Sequence, residues 1–85
     1  MENLKMKLQE LEYYVIDRSN KLIVAKEATY DESFGGDILH GYFETYYLEN
    51  KKFKINYLLG QIPVEKEFNT IEELIDFVKE VFPID

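Results

Sequence analysis

The most strongly patterned stretch of the chain is Gly41–Gly60, in which two runs rich in Tyr, Phe, Ile and Leu flank the polar residues 49–52. Aromatic and β-branched side chains favour strands because they fit a pleated, half-buried surface. Asn50 and Lys51 fit a two-residue turn, since asparagine tolerates positive φ. The stretch therefore predicts a β-hairpin against which the rest of the chain packs.

A two-residue turn fixes the register of this hairpin and sorts its side chains onto two faces. The face assigned to the core carries Tyr42, Glu44, Tyr46, Leu48, Phe53, Ile55, Tyr57 and Leu59. The apolar members of the opposite face are Phe43, Tyr47 and Leu58. A solvated sheet face is normally more polar, so we expect a second element or a partner to cover these three. Glu44 is expected to lie near the sheet margin or to accept a tyrosine hydrogen bond; the alternative is a carboxylate kept for a partner's arginine.

The first part of the chain predicts a short helix and then a hairpin. Residues 1–11 carry leucines at helical spacing among good helix formers, with Asn3 as a candidate cap, although a strand remains an alternative. Leu11–Ala28 contains two apolar runs separated by residues 17–21, which suit a three-residue loop with a bulge. Both runs are apolar on both faces, which predicts central strands.

The last part of the chain predicts an edge strand and an amphipathic helix. Pro63 cannot donate a ladder hydrogen bond, so Ile62–Phe68 is expected at a sheet edge. Thr70 and Glu73 have capping-box spacing, and apolar residues recur along one stripe of Thr70–Phe82 up to the helix-stopping Pro83. The predicted fold is α+β: one domain, 1–85, with an antiparallel sheet of about four to five strands built from two hairpins. The C-terminal helix packs on one face, and a short N-terminal helix is optional.

Charge narrows the range of partners. The net charge is −7, and the segment from Glu27 to Asn50 contains six acids and no Lys or Arg. This balance disfavours nucleic acid and anionic membranes. The stretch 29–40 is predicted to be an irregular acidic loop because Gly35 and Gly36 interrupt any pattern. Its acids either face water or contact a basic surface on another protein.

No catalytic or cofactor motif is present. His40 is the single histidine, and the nearby acids lack the spacing of a metal-binding motif. Ser33 is not in a nucleophile-elbow setting, and no phosphate-binding lysine follows Gly35-Gly36. We therefore expect no enzyme activity, no cofactor and no metal. The absence of cysteine and of a signal-peptide pattern suits a cytoplasmic chain.

These features favour a small acidic module that binds a protein with a basic surface, of the type of phage-encoded inhibitors, antitoxin-like proteins or nucleic-acid mimics. The candidate contact residues are Phe43, Tyr47, Leu58, Asp31, Glu32, Asp37 and Glu49. Two alternatives remain: a homodimer formed through the same face with a structural role, and a small-ligand binder with a pocket between helix and sheet.

Overall fold

The structure, a computed structural model, describes residues 2–84. Its elements follow in the order α1 (Glu2–Glu10), β1 (Tyr14–Arg18), β2 (Lys21–Asp31), β3 (Gly36–Tyr47), β4 (Phe53–Leu59), β5 (Ile62–Phe68) and α2 (Ile71–Val81). The strands form one antiparallel sheet in the order β1-β2-β3-β4-β5, so each strand pairs with the next along the chain. The α+β prediction is confirmed. Neither helix within residues 2–84 is long and apolar enough to cross a membrane.

Both helices pack on the same face of the sheet. The helix residues of the buried core are Leu4 and Leu8 of α1 and Leu74, Ile75 and Val78 of α2. They pack against strand side chains that point to one face of the sheet. The buried strand residues in this core are Leu22, Val24, Phe43 and Ile55. The opposite face of the sheet carries no helix within the described residues, and we call it the open face.

The N-terminal helix is confirmed, but its predicted cap is not. Asn3 lies inside α1, which begins at Glu2. Met1, the first residue of the stretch 1–11 in which the helix was predicted, lies outside the described residues. The helix ends in a Schellman arrangement. Glu12 adopts a φ of 72°, its N–H donates to the Gln9 carbonyl, and the Tyr13 N–H donates to the Leu8 carbonyl.

The C-terminal helix follows its sequence signals closely. The Thr70 side chain accepts a hydrogen bond from the Glu73 N–H at 3.2 Å, and the helix covers Ile71–Val81. Its end is held by the buried Tyr13 hydroxyl, which donates to the Phe82 carbonyl at 2.6 Å. Burial raises the pKa of Tyr13. This bond links the start of the sheet to the end of the last helix.

The register of the central hairpin differs from the prediction by one residue. Thr45 pairs with Ile55 and Tyr47 with Phe53, because the loop is longer than two residues. The Lys51 N–H donates to the Leu48 carbonyl, and Lys51 itself has a φ of 67°. This is a type I turn followed by a left-handed residue, the usual form of a three-residue hairpin loop.

A one-residue slip moves every side chain of one strand to the other face. Ile55 stays in the core as predicted, but on β3 the core face carries Phe43 and Thr45. Phe43 is 0% exposed and stacks on Phe82 with ring centroids 4.9 Å apart, whereas Tyr42 is 50% exposed. The assignment of Tyr42, Glu44 and Tyr46 to the core is therefore wrong, and so is the placement of Phe43 on a contact surface. Leu59, also assigned to the core, is 65% exposed.

The first hairpin also has a different loop from the one predicted. Arg18 pairs with Lys21, which leaves Ser19 and Asn20 as a two-residue turn rather than a three-residue loop with a bulge. β2 is central, but β1 pairs with β2 alone and lies at the sheet edge. The predicted edge position of β5 is confirmed.

The stretch 29–40 is not an irregular loop. β2 continues to Asp31 and β3 begins at Gly36, and the two strands stay paired up to Asp31 and Gly36. Only residues 32–35 form a turn. Gly35 and Gly36 close this hairpin instead of interrupting regular structure.

Substitution of the neighbouring residues Phe43 and Tyr42 tests the face assignment. We expect Phe43→Ala to reduce the free energy of unfolding by about 3–5 kcal/mol, because it leaves a cavity under α2. Tyr42→Ala should cost less than about 1 kcal/mol, because Tyr42 is half exposed. Urea denaturation of both variants checks this, with Phe43→Leu as the milder substitution if Phe43→Ala does not fold. A larger loss for Tyr42→Ala would support the other register.

Candidate functional site

Two β-hairpins project from the same end of the sheet. The turn between β2 and β3 and the turn between β4 and β5 lie at this end, because the strands alternate in direction. At this end of the sheet the last pair between β1 and β2 joins Tyr14 to Ala25. The long arm, residues 26–41, extends beyond this pair. The short arm, residues 57–64, closes through Gly60, whose φ of 65° suits the first position of a type II′ turn.

The sheet divides between the two arms. β3 and β4 are paired from Tyr47–Phe53 to Glu44–Asn56, and within residues 2–84 their pairing goes no further. A cleft of about 630 Å³ opens at this point. It is lined by residues from both faces of the sheet and by the end of α2, including Tyr42, Glu44, Asn56, Leu58, Glu65 and Phe82.

Gly41 allows the long arm to leave the plane of the sheet. Its φ is 60°, and a Cβ at this position would lie 2.8 Å from Cδ of Lys26. The Tyr14 hydroxyl donates to Asp37 at 3.1 Å, although Asp37 pairs with Tyr30, five residues beyond Tyr14's own partner Ala25. Five strand residues span about 17 Å, more than a tyrosine side chain can reach, so the arm bends back toward β1.

The tip of the long arm is ordered by one carboxylate. Asp31 Oδ1 accepts hydrogen bonds from the Ser33 hydroxyl at 2.6 Å, the Ser33 N–H at 2.9 Å and the Phe34 N–H at 3.4 Å. These donors, the hydroxyl first, lower the pKa of Asp31. Below the tip, Thr29 Oγ1 and His40 Nε2 are hydrogen bonded across the strands at 2.9 Å. A two-stranded ribbon is marginally stable alone, so such local bonds matter here.

Large apolar side chains on both arms face solvent. Phe34 at the tip of the long arm is 71% exposed, and Ile62 at the tip of the short arm is 68% exposed. Tyr30, Leu58 and Leu59 are also more than half exposed. Single exposed apolar residues are common on protein surfaces, but five of them lie on the two hairpins at this end of the sheet, which makes these hairpins a candidate contact surface.

The open face next to the cleft carries a charged cluster around Tyr46. Glu44 forms an ion pair with Lys21 and accepts a long hydrogen bond, 3.4 Å, from the Tyr46 hydroxyl. The ammonium groups of Lys21 and Lys54 lie 5.9 and 5.3 Å from the Tyr46 ring centroid. The bond to Glu44 raises the pKa of Lys21. The predicted tyrosine bond to Glu44 is present, on the open face and not in the core.

The structure divides the residues predicted as a contact site. Leu58, Asp31, Glu32 and Asp37 lie at the split end of the sheet, on the two arms. Tyr47 and Glu49 lie at the opposite end, near the turn between β3 and β4, where Tyr47 stacks on Phe53. Phe43 is in the core. Sequence reasoning found the acids of the long arm but missed its apolar tip.

The missed residues left a weak signal in the sequence. Phe34 is a large aromatic residue inside the polar, glycine-containing turn DESFGGD, where a buried role is unusual. Leu58 and Leu59 are consecutive and precede Gly60, so one of the two has to face away from the core. In residues 2–84, no group of three or more His, Asp or Glu side chains is placed to hold a metal ion.

Comparisons with protein-family models, with curated proteins and with solved structures find no match to this chain.

The carboxylate at the tip of the long arm gives a prediction about pH. Because the pKa of Asp31 is lowered in the folded arm, its bonds stabilise the tip above the ordinary value of 3.8 and are lost as the pH falls through the lowered value. A carboxyl ¹³C titration should give a midpoint below 3.8 for Asp31. Ser33→Ala removes the hydroxyl donor and should move the midpoint upward. Equal midpoints in the two proteins would mean that this hydrogen bond does not order the tip.

Proposed function

We propose that this protein acts by binding another protein with a basic surface, as an inhibitor or regulator rather than as an enzyme. The observation that supports this most directly is the set of exposed apolar side chains on the tips of two hairpins at one end of the sheet, Tyr30, Phe34, Leu58, Leu59 and Ile62. In the isolated molecule more than half of the surface of each of these residues faces solvent. In a complex they supply apolar area.

The apolar tips are suited to the centre of an interface. Burial of a Leu, Ile or Phe side chain contributes about 1.5–3 kcal/mol relative to leaving it exposed. Most binding energy in an interface comes from a few buried anchors, often aromatic, that fill pockets on the partner. Phe34 is the best candidate for such an anchor, because it is the most exposed large apolar side chain of the described residues and lies at the tip of a projecting arm.

The acids of the long arm favour a basic partner. Four acids lie on this arm, Glu27, Asp31, Glu32 and Asp37, against a single lysine, Lys26, at its base. Complementary charge raises the rate of encounter and disfavours wrong partners more than it adds affinity. The apolar tips would then provide the affinity and the acids the selectivity. The overall charge of −7 also attracts positively charged partners.

Affinity capture from a lysate of the source cells tests the proposal. The baits are the wild-type protein, Phe34→Ser, and Tyr47→Ser, which removes an exposed aromatic side chain at the opposite end of the sheet. We expect a partner captured by the wild type to bind Phe34→Ser at least about tenfold more weakly once both are purified, as for a hot-spot anchor. Tyr47→Ser should bind it with unchanged affinity, and binding should weaken as salt is raised.

Three results would contradict the proposal. The first is a partner lost with Tyr47→Ser but retained by Phe34→Ser, since the contact would then lie at the other end of the sheet. The second is a wild-type capture that does not differ from the Phe34→Ser capture. The third is a concentration-dependent dimer in light scattering that Phe34→Ser converts to a monomer, which would make the arms a self-association surface.

A further inference from the structure

The backbone at the split between β3 and β4 is left without a strand partner. The Leu48 N–H donates to the Lys52 carbonyl at 2.8 Å, which marks these residues as a hydrogen-bonded pair. Hydrogen-bonded pairs alternate along an antiparallel ladder, so the next are Tyr46–Lys54 and Glu44–Asn56. The following pair would join Tyr42 to Leu58, but no ladder pairing of these two occurs within residues 2–84.

The unpaired edge is longer on β3 than on β4. By the same alternation, Tyr42, His40 and Ile38 direct their backbone N–H and C=O groups toward the side on which β4 would continue. On β4 only Leu58 does so before the turn at Gly60 begins. A strand edge of this kind is a template for pairing with an added extended segment.

The cleft is lined by two carboxylates, those of Glu44 and Glu65, together with polar side chains that include His40 and Tyr42. Asn56 Oδ1 is buried and has no hydrogen-bond partner among the described residues. Glu44 and Glu65 each form an ion pair with a lysine, Lys21 and Lys54, that is not part of the lining in the described chain. The carboxylates therefore favour an occupant that carries positive charge, whereas Asn56 Oδ1 is closed off from the solvent in the cleft.

We propose that the cleft binds an extended, cationic peptide segment of the partner protein, which adds a strand to the free edge of β3. The N–H and C=O groups of the segment pair with Tyr42, His40 and Ile38. A Lys or Arg side chain of the segment lies on the open face beside Glu44 and Glu65, and the next residue, directed to the opposite face, places an apolar side chain against Tyr57 and Phe82. The inference rests on the proposed function, whose apolar contacts lie on the arms beside the cleft.

The charge of the chain argues against a second copy as the occupant. Two copies would each carry a charge of −7, and the free outer edge of β5 presents Glu65 and Glu67. Either acid would meet the carboxylates of the cleft at close range. A segment of a basic partner meets the same groups with opposite charge.

Selection from a displayed library of random dodecapeptides tests the inference without knowledge of the partner. We expect enriched peptides to contain Lys or Arg alternating with apolar residues. A synthetic peptide of the enriched sequence should shift the amide resonances of Ile38, His40, Tyr42 and Leu58. The same peptide with alternate backbone nitrogens methylated should bind at least about tenfold more weakly, because it cannot form the ladder.

The variant Glu65→Lys tests the charge of the cleft. The Glu65 side chain is 65% exposed and its ion pair with Lys54 is long, 3.9 Å, so the substitution should leave the fold intact. We expect the variant to bind the selected peptide at least about tenfold more weakly and to bind the captured partner more weakly as well. An acidic consensus, no enriched peptide, or methylated peptides that bind normally would overturn the inference. Lysine amide binding as tightly as the peptide would also overturn it, in favour of a small-molecule site.

The partner experiment separates this inference from the proposed function. If Phe34→Ser weakens binding of the partner and Glu65→Lys does not, the arms remain the contact surface and strand addition in the cleft is overturned. If neither substitution weakens binding, both proposals are overturned. We expect both substitutions to weaken binding and the selected peptide to displace the partner.

Discussion

The left-handed conformation of Lys51 determines which side chains of the central hairpin enter the core. A non-glycine residue in this region costs roughly 1–2 kcal/mol, and here the Asn50 side chain, which accepts from the Lys52 N–H at 3.2 Å, holds the loop in place. The resulting three-residue loop sets the pairing of Thr45 with Ile55. With a two-residue loop, Phe43, the largest fully buried side chain of the described residues, would leave its stacking contact with Phe82.

The same register also determines which side chains lie on the open face of the sheet and where the pairing of β3 with β4 ends. It brings Glu44 to the open face, where Lys21 pairs with it, and it makes Glu44–Asn56 the last pair between β3 and β4. Beyond this pair, the positive φ at Gly41 lets β3 follow β2 into the long arm. The cleft and its unpaired backbone edge therefore begin where this pairing ends.

The sequence predicts those parts of the fold that local patterns determine. The helix at Ile71–Val81 was identifiable because its cap and its apolar stripe lie within one short segment. The faces of β3 were not, because Tyr42 and Phe43 are both aromatic, as are Tyr46 and Tyr47, so hydrophobicity alone does not choose between registers. The long arm was missed because a ribbon with two solvated faces shows no alternation for a strand prediction to detect. Its acids could be found from charge, but the exposure of Phe34 depends on the bend and reach of the arm, which are tertiary properties.

Nuclear Overhauser contacts between Hα protons of β3 and β4 test the pairing pattern most directly. Residues opposite each other in non-hydrogen-bonded pairs approach most closely, with Cα atoms about 4.5 Å apart. The structure predicts strong contacts between Thr45 and Ile55 and between Tyr47 and Phe53, and none between Phe43 and Tyr57, where the strands have separated. A contact between Tyr46 and Ile55 would establish the register of a two-residue turn. A contact between Phe43 and Tyr57 would mean that the ladder continues and that the cleft is closed.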